Sequence, residues 1–303
     1  MPYRCVRDVA RTASNRPYNP RPLPPRIGSV FLLSQPDLPD TPEALARAIE
    51  TGLRRFVSSG SELVRLTGNN VRALESLTVN LSGARVDTIE PAARPQVRDV
   101  APAISVGELS VNADPISVFG SEVNFQLDAS GAEFQQARQP GDHLLLLLHR
   151  ARGGQVRIDV ARVALEQLIS RAAGRLAQKQ GVTIESVKLS LAQPEPRSLD
   201  AQVAVTARKL LFRAVLNLSG TIRIDDELVA NVSNLRCSGE GPIASLACAA
   251  ITPQFARVEK RPFPLSALPL GEVKLRDVSV ALAGNRISIA AKFGSAAELD
   301  RVA

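Results

Sequence analysis

Aromatic residues are scarce in this chain of 303 residues: they make up 4% of it, and tryptophan is absent. Proteins that bind single-stranded nucleic acid stack the bases on aromatic side chains, so the composition argues against nucleic acid as a partner. The same scarcity predicts that Leu, Val, Ile and Ala line any apolar interior.

Long hydrophobic runs are also absent. The longest aliphatic stretch is residues 144–148, whereas a helix that spans a bilayer needs about 20 apolar residues. The N-terminus lacks the apolar core of a secretory signal. We therefore expect a protein that is soluble or peripheral to a membrane.

Cysteine and histidine are too sparse for a recognisable metal centre. Cys5, Cys237 and Cys248 do not have the spacing of a metal or redox motif. A disulfide between Cys237 and Cys248 is one alternative, but free buried thiols are expected. Cys5 is expected to be loose in the N-terminal tail. His143 and His149 would lie about 20 Å apart along a strand, too far for one ion. No metal and no cofactor is predicted.

Catalytic motifs are missing as well. The sequence contains no nucleophile elbow, no phosphate-binding glycine loop and no helical pair of zinc ligands. The glycines of residues 237–242 favour a turn over an anion cradle, and the acids of residues 225–227 favour a solvated turn over a calcium site. We expect no enzyme.

The remaining composition is that of a folded protein. Hydrophobic residues make up 45% of the chain, charged residues 22%, and the net charge is +7. These values are typical of soluble globular domains, and the length indicates about two domains or one doubled domain. The arginines are spread along the chain, which favours a well-solvated basic surface compatible with weak attraction to an anionic membrane surface.

Residues 1–40 are rich in proline and arginine, which predicts an extended arm, and residues 1–36 are either the remnant of an organelle-targeting segment or a docking arm. A helix is predicted to follow, because Asp40 is a capping residue and Glu43 stands at the capping-box position. Apolar residues then recur at helical spacing to Val57, with weaker order to Leu66. The pattern is that of an amphipathic helix.

Two further helices are predicted. The longer covers residues 160–180, with one apolar stripe, one charged face and Gly181 as its stop. At about 1.5 Å per residue it would be about 30 Å long. The shorter is an apolar helix over residues 242–251.

Alternating apolar and polar residues predict antiparallel strands between the helices. Residues 74–81 align without a gap with residues 184–191, and residues 107–111 align with residues 271–275 in the same order. This order favours an internal duplication, with chance similarity of short strands as the alternative.

These patterns predict an α+β protein, in which long amphipathic helices pack in strongly curved antiparallel sheets as two similar helix-plus-sheet units. The predicted parts are an arm at residues 1–40, a first unit at 41–155, a second unit at 156–295 and a tail at 296–303. A sheet that curls around a helix leaves a groove, either filled by side chains or open to an apolar guest. The predicted lining of this apolar groove is Leu165, Leu168, Ile169, Ala172, Leu176, Phe212, Leu216 and Leu218.

Residues 160–180, 182–191, 241–253 and 265–293, the last with the run LGEVKL, resemble the TULIP-like (tubular lipid-binding) superfamily, in particular the LmeA-type family of bacteria and plastids. In that family a long helix is held in a strongly curved antiparallel sheet with acyl chains in between. The resemblance implies binding or transfer of lipid without catalysis. It is also compatible with a plastid or bacterial envelope-associated compartment, although the family's usual secretory or lipoprotein start is replaced here by the basic arm.

The sequence therefore supports two functional hypotheses. The first is non-enzymatic binding or transfer of lipid or another apolar small molecule in the groove. The alternative is a structural or assembly subunit of a larger, membrane-associated complex that docks onto a protein partner through residues 1–40.

Overall fold

The structure is a computed structural model that describes residues 30–33, 35–87, 98–139, 143–178, 181–209, 212–265 and 272–295. Most of the predicted arm, the predicted tail and the start of the LGEVKL run lie outside the described residues. Strands make up 60% and helices 19% of the described residues, which contain three helices and two sheets. Curved, mainly antiparallel sheets are present, but the predicted α+β class with long helices packed in them is wrong, because the protein is mostly β.

In chain order the elements are β1 (Val30–Leu33), α1 (Pro42–Leu53), β2 (Val64–Thr67), β3 (Ala73–Asn80), β4 (Arg85–Val86), β5 (Arg98–Val118), β6 (Ser121–Arg138), β7 (Leu144–Arg150), β8 (Gly153–Ala161), α2 (Arg162–Gln178), β9 (Thr183–Ala192), β10 (Ser198–Lys209), β11 (Phe212–Ile224), β12 (Val229–Gly239), α3 (Pro242–Glu259), β13 (Phe263–Pro264), β14 (Val273–Ala283) and β15 (Arg286–Ser295).

The first sheet has ten strands in the order β14-β15-β8-β6-β5-β3-β2, with β4 beside β5 and with β7 and β1 extending from β6; the second sheet has five strands in the order β13-β12-β11-β10-β9. Neighbouring strands are antiparallel, except that β5 runs parallel to β3 and β4. The sheets do not divide at residue 155, since β8 spans it and β14 and β15 belong to the first sheet. The strands of the proposed repeat also differ in position: β3 and β5 are neighbours, whereas β9 and β14 lie in different sheets.

Strands β5 and β6 are far longer than their sequence pattern predicts. They contain 21 and 18 residues and pair with each other along most of their length. Pro102 and Pro115 lack the N–H that a ladder uses, but both lie where the register between the strands shifts. Proline is tolerated at such irregularities, so it does not end the strand here as the sequence pattern suggests.

The first helix is shorter than predicted, at 12 residues. Its N-cap is Thr41 and not Asp40: the Thr41 hydroxyl accepts the N–H of Ala44 at 3.2 Å, since Pro42 holds the preceding residue in the extended conformation that a cap needs. The helix ends at Leu53 because the Arg54 guanidinium donates to the carbonyls of Ser59 and Ser61 at 2.7 and 2.8 Å, which folds the chain back.

The other two helices differ from their predicted bounds in opposite directions. Helix α2 has 17 residues and begins two positions later than predicted, because β8 extends to Ala161. Helix α3 has 18 residues and continues through Pro253 to Glu259. Because proline has no N–H, the carbonyl four residues before Pro253 loses its hydrogen-bond donor. That carbonyl belongs to Ala249, which is exposed to water.

The main core lies between α1 and the first sheet. Leu33 of β1 and Leu45 and Ile49 of α1 are fully buried in it, so the last residues of the predicted arm are part of the core. Gly52 lets α1 approach β1 closely, because a Cβ there would overlap the carbonyl oxygen of Leu32.

Replacing Gly52 by alanine should therefore destabilise the protein by about 1–3 kcal/mol through overpacking, although alanine favours helix. The measurement is the free energy of unfolding in urea. The matched control is Gly60→Ala, where an added Cβ meets nothing within 4 Å, and we expect a change within about 0.5 kcal/mol. Equal effects of the two replacements would contradict this account of the α1–β1 contact.

A disulfide joins Cys237 of β12 to Cys248 of α3, so the expectation of free thiols at these positions is wrong. Helix α3 packs along β12 and brings the two Cα atoms to 5.3 Å, within bonding range. The spacing of 11 residues says nothing about this proximity, which arises only when the helix folds back over its preceding strand.

Replacing both Cys237 and Cys248 by serine should lower the free energy of unfolding by about 3 kcal/mol, since the closed loop restricts the unfolded chain. Urea unfolding followed by circular dichroism measures the effect, and a reductant should reproduce it in the unsubstituted protein. Peptide mapping without reductant should recover the cross-linked pair; alkylation of both thiols under those conditions would count against the bond.

Candidate functional site

The second sheet presents one continuous apolar face. Directly opposed residues form two rows across its four long strands. The first row is Leu189, Val203, Leu218 and Cys237, and the second is Val187, Val205, Leu216 and Gly239. Opposed residues of a sheet project to the same side, so this face carries only apolar side chains and a glycine along both rows.

Helix α3 covers one flank of this face. The Cys237–Cys248 disulfide ties the helix to the first row. In the second row, a Cβ at Gly239 would lie 2.6 Å from the Cβ of Ala244, so a glycine is needed where the helix approaches the strand. Ala244 and Cys248 are both buried against the sheet.

Helix α2 covers the opposite flank, along β9. Val187 and Leu189 are buried, whereas the alternate residues Lys188 and Ser190 are exposed, which places α2 on the apolar side of β9. The carboxylate of Glu166 accepts the N–H of Leu189 at 2.8 Å. Since β9 is the last strand of its sheet, this hydrogen bond satisfies a backbone group that a sheet edge leaves unpaired.

In the structure, the apolar groove is the apolar face of the second sheet between α2 and α3. Its strand residues Leu216 and Leu218 are half-buried, although they stand mid-strand in a sheet flanked by two helices. Phe212, at the start of β11, is 63% exposed. The apolar face is therefore covered at its flanks and over Val205 of β10, which is buried, and it is partly open to solvent along β11.

Some of the predicted groove residues lie on α2, at the flank of this groove, and the others lie on β11, on its floor. On α2, Leu165, Leu168 and Ile169 are half-buried and Ala172 is exposed; the side chain of Leu176 lies outside the described residues. On β11, Phe212, Leu216 and Leu218 alternate on the apolar face. The structure thus places the predicted residues of α2 at one flank of the apolar face and the predicted residues of β11 on the face itself. They do not surround a helix enclosed in a curled sheet.

Two exposed apolar residues of α3 and β11 were not among the predicted groove residues. Leu246 of α3 is 72% exposed and Ile222 of β11 is 42% exposed. For Leu246 the sequence did contain a signal. Residues 242–256 include no charged residue, so this helix has no charged face to turn toward solvent. Single exposed apolar side chains are normal on protein surfaces, so these two residues do not by themselves mark a binding site.

A polar contact joins the second sheet to the first sheet. The side-chain amide of Gln193, just after β9, donates to the carbonyl of Val280 at 2.6 Å and accepts the N–H of Leu282 at 3.1 Å. It therefore imitates a strand partner for the edge of β14. Arg197 adds ion pairs to Asp226 and Asp277, at 3.0 and 2.6 Å.

The acids of residues 225–227 form a turn, as predicted: the Asp225 carboxylate accepts the N–H of Val229 at 2.8 Å. His149 lies 3.6 Å from the Glu272 carboxylate. Among the described residues, no group of three or more His, Cys, Asp or Glu side chains is placed to hold a metal ion.

The carboxyl groups with shifted pKa values lie on or beside the first sheet, away from the groove. Burial by itself would raise the pKa of Asp159, but hydrogen bonds from Ser288 and Arg157 and the charges of Arg157 and Arg286 outweigh it and lower that pKa. A hydrogen bond from Arg150 lowers the pKa of Glu272. These carboxylates are held ionised by structural partners.

Comparison with known proteins returned no matching family model, no matching curated protein and no matching solved structure. None of the helices in the described part of the chain combines the length and the apolar composition needed to cross a bilayer.

Proposed function

We propose that this protein binds lipid or another apolar small molecule in the apolar groove, without catalysis. The observation that carries the proposal is the half-burial of Leu216 and Leu218 on a sheet face whose flanks are covered by helices. The resemblance to TULIP-like proteins, carried by residues 160–180, 182–191, 241–253 and 265–293, also implies lipid binding, but the described residues do not form the fold of long helices in curved sheets that it implies as well.

The energetics favour an acyl chain over a rigid ring system as the guest. Burial of each methylene contributes about 0.8 kcal/mol, so a chain laid along the rows of leucine and valine would gain free energy over its whole length. The two rows contain no aromatic residue, and Phe212 stands at the end of β11. Stacking, which aromatic ligands use, has no platform along those rows.

The first test is the content of the purified protein. Extraction with organic solvent followed by mass spectrometry should recover co-purified lipid, and a fluorescent fatty acid should bind and be displaced by that lipid. An empty extract together with no binding of the fluorescent fatty acid would overturn the proposal.

The second test uses substitutions on the two sides of one strand. The double replacement Leu216→Ser with Leu218→Ser should weaken binding of the fluorescent fatty acid about tenfold, which corresponds to about 1.4 kcal/mol. Val215→Ser is the matched control, because Val215 directly precedes Leu216 in β11, is 39% exposed and faces the other side of the sheet. Equal loss in the control would show that binding does not occur on the apolar face.

A further inference from the structure

A second site, a shallow depression open to solvent, lies where α2 meets the tip of the β5–β6 hairpin. It has a volume of about 680 Å³ and is lined by Asp87, Phe119, Gly120, Arg171, Gly174, Arg175 and Gln178. The hairpin tip is attached to the helix by a hydrogen bond from the buried hydroxyl of Ser121 to the side chain of Gln167, at 3.1 Å. The walls of the site are thus held together by a polar contact at its edge.

The two arginines are positioned by different contacts. The guanidinium of Arg175 lies 4.8 Å from the ring centroid of Phe119, a cation–π arrangement that orients its planar group. Arg171 lies against Gly120, where a Cβ would stand 3.3 Å from its Nη2 atom. Gly120 has a φ of +71°, and a residue with a side chain would be strained there and would crowd the arginine.

The charges of this pair are not balanced by ion pairs within the described residues. Residues four apart in a helix are neighbours on one face, so Arg171 and Arg175 place two positive charges side by side. Arg150, Arg157 and Arg197 each have a carboxylate partner. Within the described part of the chain, neither Arg171 nor Arg175 has one, Asp87 included.

We propose that Arg171 and Arg175 form a binding site for a phosphate group. Guanidinium groups are planar, permanently charged and suited to bidentate contact with phosphate oxygens. Gln178 also lines the site and offers an amide donor, whereas the carboxylate of Asp87, another lining residue, repels an anion on its side.

The position of the pair on α2 relates this phosphate site to the apolar groove. At about 100° per residue, Arg171 and Arg175 lie on the helical row next to that of Leu168 and Ala172. A phospholipid would therefore have its phosphate beside the arginines and its acyl chains across Leu168 and Ala172 toward the groove. This assignment of an anionic phospholipid rests on the proposed function; a free phosphate group is the other source of the same chemistry.

The test is co-sedimentation of the full-length protein with vesicles of phosphatidylcholine, with and without phosphatidylglycerol. Replacing Arg171 and Arg175 by glutamine should weaken binding to phosphatidylglycerol vesicles about tenfold. The matched control is Arg55→Gln with Arg65→Gln, which removes the same net charge from exposed positions beyond α1 and on β2, and it should keep binding within about twofold. Equal loss in both double variants would overturn the inference.

Two further measurements distinguish this inference from the proposed function. A neutral fluorescent diacylglycerol reports on the groove alone and should bind the protein and the Arg171/Arg175 variant equally. If it binds neither while inorganic phosphate binds the protein in calorimetry and fails to bind the variant, the phosphate site stands and the lipid function fails. If the variant keeps its preference for phosphatidylglycerol and the protein does not bind inorganic phosphate, the phosphate site is wrong.

Discussion

The β5–β6 ladder is the interaction on which the rest of the structure depends. One edge of β6 pairs with β5, and its other edge pairs with β8 along the first half and with β7 along the second. Strand β8 in turn pairs with β15, which pairs with β14. Strand β7 pairs with β1, which packs in the core around α1. Its hairpin tip reaches α2, so the same ladder also positions the helix that borders the groove.

The apolar side chains of the two sheets are buried to different extents, and the proposed function depends on this difference. The first sheet has a continuous core that includes fully buried Leu33, Leu77 and Leu146. The second sheet has helices over its flanks but leaves Leu216 and Leu218 half-buried. A protein gains stability by covering such residues, so a face left open in a folded protein is a surface that a ligand can cover. The disulfide and the Gln193 contact hold α3 and the sheet in place around that face without filling it.

Much of the local structure was predictable. The alternation that predicted residues 74–81 and 184–191 as strands is matched by β3 and β9 within a residue or so at each end. Helix α2 was also predicted within two residues at each end. The length of β5 was not, because Pro102 and Pro115 look like breaks until a partner strand shifts register around them. The arginine pair on α2 was recognisable in the sequence only as part of a charged helix face, because Phe119 and Gly120 lie some 50 residues away.

The sequence by itself determined helix α2, strands β3 and β9 and the aliphatic character of the apolar surfaces, because each of these follows from side-chain periodicity within one segment. Only the tertiary structure decided that β14 and β15 join the first sheet, that Cys237 meets Cys248 and that α2 and α3 border one sheet face. Each of these depends on contacts between segments far apart in the chain. Periodicity tells which face of a segment is apolar, but the partner that covers that face, or leaves it open, is chosen by packing of the whole molecule.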